Sequence, residues 1–283
     1  WLADRGKSEI MALFGIGLAY YAAIINKTGY FTLFSSAALT VAAIYFLIRN
    51  RWAILSYVSL AGTYGGWAFW RFYHHGETIW RGGSLESDTY WVGLGFLLCY
   101  WSLFTVAVFI SRAGEFDAKV RATFLTANNA LMVGFGAFTT NLAYPDSFWL
   151  FPTITGGALL ALMWLARTRL SDEPNVENGY LVQGLLLITW GVMTCFTGSK
   201  LALSLGIESV ILVMLGYSRQ SQIMKAGAFI TTALAVALSL DDIGKFDGGG
   251  AILGMSLMAL FVFNAWWLQN REDNHELEVE ESE

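Results

Sequence analysis

One formal charge, Glu208, stands at mid-depth among about ten apolar stretches, each long enough to cross a bilayer. A carboxylate at the centre of the hydrocarbon costs about 2.5–3.5 kcal/mol on insertion scales, so the group has to face protein or water and is expected to rest as the neutral acid. Its own helix offers Ser204 one turn back, whereas Lys200 lies two turns away at roughly 12 Å, too far for an ion pair. A strong partner therefore has to come from another helix. At ~1.5 Å per residue, Asn129 falls near ~12 Å deep, Glu208 near ~13–14 Å, Thr231 and Thr232 near ~14 Å, and Tyr64 somewhat deeper. These groups are expected to share one layer. The expected role is an interhelical hydrogen bond, worth about 0.6 kcal/mol on average in membranes. A proton or ion relay at Glu208, and a buried contact to a lipid headgroup or partner subunit, are the alternatives. Asn128, Asn129 and Asn264 read as helix-pairing amides, since a carboxamide does not move protons.

Other reactive residue types are scarce. Cys99 and Cys195 fall in different apolar stretches with no neighbouring ligand and read as buried small hydrophobes. His74, His75 and His275 lie outside the apolar stretches, so no imidazole is placed to ligate haem or a metal within the membrane. The loop from Asp241 to Gly250 is acidic and glycine-rich but lacks the alternating ligands and closing Glu of an EF-hand. Phosphate-loop, HExxH and GxSxG patterns are missing. No catalytic, cofactor-binding or metal-binding residue is expected, and the chain is not expected to be an enzyme.

The elements that would position these groups follow from hydropathy. With 55% hydrophobic and 14% charged residues, the chain is expected to be all-α, a polytopic transmembrane helical bundle, because hydrocarbon leaves backbone groups no partner outside helices. The ten spans are Glu9–Ile25, Tyr30–Ile48, Trp52–Tyr73, Trp91–Ser111, Arg121–Leu142, Ser147–Ala166, Tyr180–Gly198, Leu201–Tyr217, Gln222–Leu240 and Ala251–Gln269. Numbering the sides alternately, twelve Lys and Arg residues fall on the side of the N-terminus and five on the other. The positive-inside rule then makes both termini cytoplasmic. Residues 1–269 form the bundle and 270–283 an acidic cytoplasmic tail, read as a solvated, flexible end with a docking segment for a basic partner as the alternative. The basic residues spread along one membrane face instead of forming a dense patch, so no nucleic acid is expected. The chain opens at Trp1 with no cleavable signal before the first span, and is expected to be a processed or incomplete piece.

Trp52, Trp70, Trp80, Trp91, Trp149, Trp266 and Trp267 lie near span ends and read as interfacial anchors, whereas Trp67, Trp101, Trp164 and Trp190, nearer the span interiors, are expected to pack helices, with lining a lipid or pigment groove as the alternative. Gly62 with Gly66, Ala61 with Gly65, and Gly250 with Gly254 have the four-residue spacing that lets helix backbones approach. Gly93 with Gly95 and Gly134 with Gly136 add thin patches. Pro145, Pro152 and Pro174 lie in loops or near a span end, so the broken helices of many transporter sites are not signalled.

Two segments carry a likeness. The first runs from Phe14-Gly15-Ile16-Gly17-Leu18-Ala19-Tyr20 through Asn26-Lys27-Thr28-Gly29 and Leu33-Phe34 to Arg49-Asn50-Arg51-Trp52 and Gly62-Thr63. The second runs from Leu203-Ser204-Leu205-Gly206-Ile207-Glu208-Ser209 through Leu212 to Leu215-Gly216-Tyr217, before Arg219. Together they resemble the large bacterial membrane-protein family called domain of unknown function 2339. Leu205 departs from that pattern, standing where tryptophan is common, and the proline usual near Ala22 and Ala23 is absent. Relatives in that family also tend to carry additional N-terminal spans. The resemblance implies residence in a bacterial inner membrane and functional weight for Glu208, with no defined reaction.

The leading expectation is a non-enzymatic structural or accessory subunit of a larger inner-membrane assembly, its partners being membrane lipids and other membrane subunits. The rival is a transporter or proton-coupled channel with Glu208 as its titrating site. A lipid-acting enzyme or flippase is a distant third.

Overall fold

The computed structural model describes residues 8–26, 29–50, 52–83, 85–110, 118–170, 173–218, 222–243 and 248–280. Among these residues there are ten α-helices, one 3-10 turn and no strand. The helices are α1 Glu9–Ile25, α2 Phe31–Asn50, α3 Ala53–Trp80, α4 Ser87–Ile110, α5 Ala118–Ala143, α6 Leu150–Arg169, α7 Pro174–Cys195, α8 Gly198–Ser218, α9 Gln222–Ile243 and α10 Gly248–Glu280, with the 3-10 turn at Pro145–Ser147. They follow the ten apolar stretches one for one. Four segments among the described residues are long and apolar enough to cross a membrane: Ser87–Ile110, Pro145–Arg169, Gly198–Ser218 and Gly249–Asn270.

The two largest departures from the hydropathy reading are at the ends of α3 and α10. The loop expected from His74 is helix as far as Trp80, because a helix need not end where its side chains become polar. It stops in a Schellman motif, with Gly82 N–H donating to the Ile79 carbonyl at 3.1 Å and Gly83 N–H to the Thr78 carbonyl at 2.9 Å. Gly82 carries φ +70°, which a side chain would oppose. At the other end of the chain, α10 continues through Glu280. The backbone expected to be a flexible tail is helical that far, and residues 281–283 lie outside the described residues.

The chain divides into two compact units, residues 1–184 and 185–283, with the boundary inside α7. In the first unit α2 packs on α3, α1 lies against both, α4 pairs with α5, and α6 packs on α5. Ala12, Ile16, Tyr20, Ala43, Trp52 and Leu55 form one apolar core there. α3 is also tied to α1 by a borrowed cap: the Leu55 N–H donates to the Glu9 carboxylate at 3.1 Å, placing negative charge at the α3 N-terminus. In the second unit α8, α9 and α10 pack mutually around Ala202, Leu205, Ala235, Leu253 and Leu257.

Small residues set the close approaches. A Cβ on Gly62 would lie 2.7 Å from the Tyr20 ring, and one on Gly66 would lie 3.0 Å from the Ser36 hydroxyl, so α3 reaches α1 and α2 through these two positions. Gly206 serves α8 against Leu257 in the same way. On α10, Gly250 is buried and Gly254 half-buried, either side of the core residue Leu253.

Candidate functional site

In the first unit many polar side chains bond to backbone carbonyls, and a smaller set bond to one another across helices. Asn128 and Asn129, consecutive on α5, point about 100° apart around the helix and so serve different neighbours. The buried Tyr64 hydroxyl donates to Asn128 Oδ1 at 2.8 Å. Asn128 Nδ2 in turn donates to the Trp101 carbonyl and to Thr105 Oγ1, both at 3.2 Å. From Asn129 a relay of consistent direction starts at Trp101 Nε1–H, which can only donate and meets Asn129 Oδ1 at 2.7 Å. Asn129 Nδ2 then donates to Gln183 Oε1 at 2.8 Å, and Gln183 Nε2 to Thr126 Oγ1 at 3.1 Å. The relay thus joins α4, α5 and α7. Beside it lies a gap of about 10 Å³, the room of one water molecule, lined mostly by apolar surface with Thr126, Asn129 and Gln183 among its polar groups. A second network joins α1, α2 and α3: the Tyr20 hydroxyl meets Ser59 at 2.9 Å and Thr63 at 2.7 Å, and Thr63 meets Thr40 at 2.7 Å.

Two buried cations belong to this unit, where the sequence reading places both at membrane edges. Arg121 is fully buried, and its Nε lies 3.2 Å from Glu173 Oε2, with Nη1 3.4 Å from the Val108 carbonyl. Arg71 is also fully buried. Its guanidinium carbon lies 5.1 Å from the ring centroids of both Trp67 and Trp70, and Nη1 donates to the Thr89 carbonyl at 3.4 Å. Nε and Nη2 have no hydrogen-bond partner among the described residues, and two aromatic faces offset part of the hydration the charge has lost. His75, a turn beyond Arg71, is held below the ordinary imidazole range by burial first, then by Arg71 and His74, with Glu86 opposing.

Glu208 lies in the second unit. Its Oε1 accepts from the Thr189 hydroxyl of α7, while Oε2 is buried without a partner among the described residues. The partner does come from another helix, yet it is none of Asn129, Thr231, Thr232 or Tyr64. Thr232 bonds instead with Ser209, next to Glu208, and with the Ala228 carbonyl at 2.7 Å. Tyr64 and Asn129 fall in the first unit with Asn128, Trp101 and Gln183 as their partners, so the single shared layer is not formed by hydrogen bonding. Depth along a helix follows from counting residues, whereas the direction a side chain faces depends on which helices are neighbours.

Several further expectations need correction. Cys99 and Cys195, expected to be buried, are exposed at the protein's surface on α4 and α7. Trp52 and Trp70, read as interfacial anchors, are buried, Trp52 stacking on Phe46 at 5.5 Å. Trp164 and Trp190, read as packing residues, are exposed, as are the anchors Trp80, Trp91 and Trp266. Gln183, Thr189, Arg71 and the Arg121–Glu173 pair are additions that the sequence reading does not contain. Of these Gln183 has a signal, being a carboxamide inside an apolar stretch. Among the described residues no three or more His, Cys, Asp or Glu side chains gather as a metal site would require. Compared with protein-family models, with curated proteins and with solved structures, the chain has no match.

Proposed function

We propose that this chain is a multi-pass helical protein of a bacterial inner membrane, with ten spans and both termini in the cytoplasm, serving as a non-enzymatic structural or accessory subunit of a larger membrane assembly. The observation that carries this reading is where the polar groups go. Tyr64, Asn128, Asn129, Gln183, Tyr20, Thr40 and Thr63 hydrogen-bond between helices, which is how polar side chains hold helices together in lipid. Outward surface supports the assembly half of the reading. In the apolar window of α10 only 17% is buried within the chain, and Ile252, Met255, Met258, Val262 and Trp266 all face outward. The arrangement suits neighbouring membrane subunits and lipid, and the resemblance to the family of domain of unknown function 2339 agrees with it.

The test is purification from native membranes in mild detergent, with mass spectrometry of everything that co-elutes. A partner of fixed stoichiometry is expected, held through α10. A chain recovered alone from both detergent and native-membrane discs would sink the assembly reading.

One observation favours a second reading, in which Glu208 titrates during proton-coupled transport. The Thr189 hydroxyl has one proton, yet it lies within hydrogen-bonding reach of both the Leu185 carbonyl, at 2.9 Å, and Glu208 Oε1. Either the hydroxyl shares its proton between the two oxygens, or Glu208 brings a proton of its own and donates to Thr189 Oγ1, the arrangement this reading requires. An apolar carbodiimide, which reacts with protonated carboxyl groups, is therefore expected to modify Glu208 in membranes, the labelling falling as pH rises and vanishing in Glu208→Gln. Proton uptake by liposomes holding the wild type, lost in Glu208→Gln, would move the conclusion to transport. Equal flux in the two leaves Glu208 as a helix-pairing acid.

A further inference from the structure

An apolar groove of about 470 Å³ lies in the first unit between α4, α5 and α6, within the size range of small-molecule sites. Tyr90, Leu94, Met132 and Phe151 form its buried floor, and Trp91 and Ile154 stand exposed on its rim. Its direction follows from register. α4 lines it from Tyr90 to Leu98 and α5 from Thr140 back to Met132, a rise of eight residues or about 12 Å each. The groove thus runs along the helices, flanked by two of the segments long and apolar enough to cross a membrane, Ser87–Ile110 and Pro145–Arg169.

Its two ends differ. Near the α4 N-terminus the lining turns to hydroxyls: Tyr90 bonds Thr140 at 3.1 Å, and Tyr144 bonds Ser87 at 3.0 Å, with Ser147 exposed beside them. None of the lining residues is charged. The exposed charges adjoining this mouth in sequence are carboxylates, Glu86 and Asp88 on either side of Ser87 and Asp146 beside Ser147, whereas the cation at this end of α4, Arg71 on the Thr89 carbonyl, is fully buried. The far end, at Leu98 and Met132, is apolar.

The groove is open along one side and about 12 Å long. A hydrocarbon chain is narrow enough, and the carboxylates at the mouth favour a cationic head over an anionic one. We infer that the groove binds one acyl chain of a phospholipid bearing a primary ammonium headgroup, phosphatidylethanolamine, with the ammonium beside Asp88 and Asp146 and the chain lying along α4 and α6. This rests on the protein residing in a membrane, and is independent of whether it joins a larger assembly.

The purified full chain, in mild detergent, is mixed with equal amounts of dioleoyl phosphatidylethanolamine and dioleoyl phosphatidylglycerol, and retained lipid is counted by native mass spectrometry. One phosphatidylethanolamine per chain is expected, favoured over phosphatidylglycerol on the order of tenfold through the two carboxylates. Ile154→Trp, a change at a position 67% exposed and so compatible with folding, covers the groove and is expected to remove most of the retained lipid. Asp88→Asn with Asp146→Asn is expected to keep the lipid and lose the preference. As a second measurement, phosphatidylethanolamine brominated on its acyl chains is expected to quench fluorescence in wild type more than in Trp91→Phe. Equal retention by wild type and Ile154→Trp overturns the site, and so does a wild type that holds phosphatidylglycerol as well as phosphatidylethanolamine. Recovery of the chain without detergent would instead overturn membrane residence itself, a result visible at extraction before any lipid is added.

Discussion

Replacing Glu173 with glutamine is expected to lower the stability of the chain by about 3–5 kcal/mol, the usual consequence of leaving a buried charge without its partner. Arg121 has no exposed surface, and the Glu173 side chain is 10% exposed. The pair closes a junction of three segments: Glu173 ends the link between α6 and α7, Arg121 lies in the first turn of α5, and its Nη1 reaches the Val108 carbonyl near the end of α4. Removing the carboxylate's charge keeps the shape and takes from the buried guanidinium its contact with Glu173. The paired change Arg121→Met with Glu173→Leu removes both charges at similar volume and is expected to come within about 1 kcal/mol of wild type, since such replacements are often neutral or stabilising. Denaturant titration in detergent checks both. A Glu173→Gln variant within about 0.5 kcal/mol of wild type would show that Arg121 is satisfied by other means and that the pair is worth no more than an exposed one.

That pair also marks the limit of what hydropathy can say. The pattern of apolar stretches locates all ten helices, because the absence of charge over about 20 residues is a property of each segment alone. Counting basic residues on the two sides then treats Arg71 and Arg121 as edge charges that set orientation, which is what arginines at span ends commonly do. Such a count registers position along the chain only. Burial is decided by the neighbouring elements: Val108 of α4 and Glu173 lie against Arg121, and the rings of Trp67 and Trp70 against Arg71. Glu208 is legible for the opposite reason, since its anomaly lies within one segment, while its partner Thr189 is not, because a threonine inside an apolar helix gives no signal by itself. Asn129 is legible as a helix-pairing amide, and the direction of its pairing, from Trp101 to Gln183, depends on where α4 and α7 lie.

Gly93→Ala is expected to cost about 3 kcal/mol, at the upper end for overpacking, while Gly95→Ala two positions along is expected to be neutral or stabilising by up to about 1 kcal/mol through helix propensity. Spacing alone pairs these two glycines; the space around them separates them. A Cβ on Gly93 would lie 1.9 Å from Arg71 Nη2 and 2.9 Å from its Cζ, whereas one on Gly95 meets nothing within 4 Å. The guanidinium has little room to retreat, being held between two tryptophan rings and hydrogen-bonded to the Thr89 carbonyl. The backbone cannot swing away freely either, because Trp67 Nε1–H donates to the Gly93 carbonyl at 2.9 Å and fixes α4 against α3. The cost should therefore depend on Arg71 itself. In an Arg71→Met background, where the planar head is gone, Gly93→Ala is expected to cost less than about 1 kcal/mol, giving a coupling of about 2 kcal/mol in a double-mutant cycle followed by denaturant titration. If Gly93→Ala cost the same in both backgrounds, the glycine would be serving the α3–α4 approach in general, and the buried cation would lose its place as the reason for it.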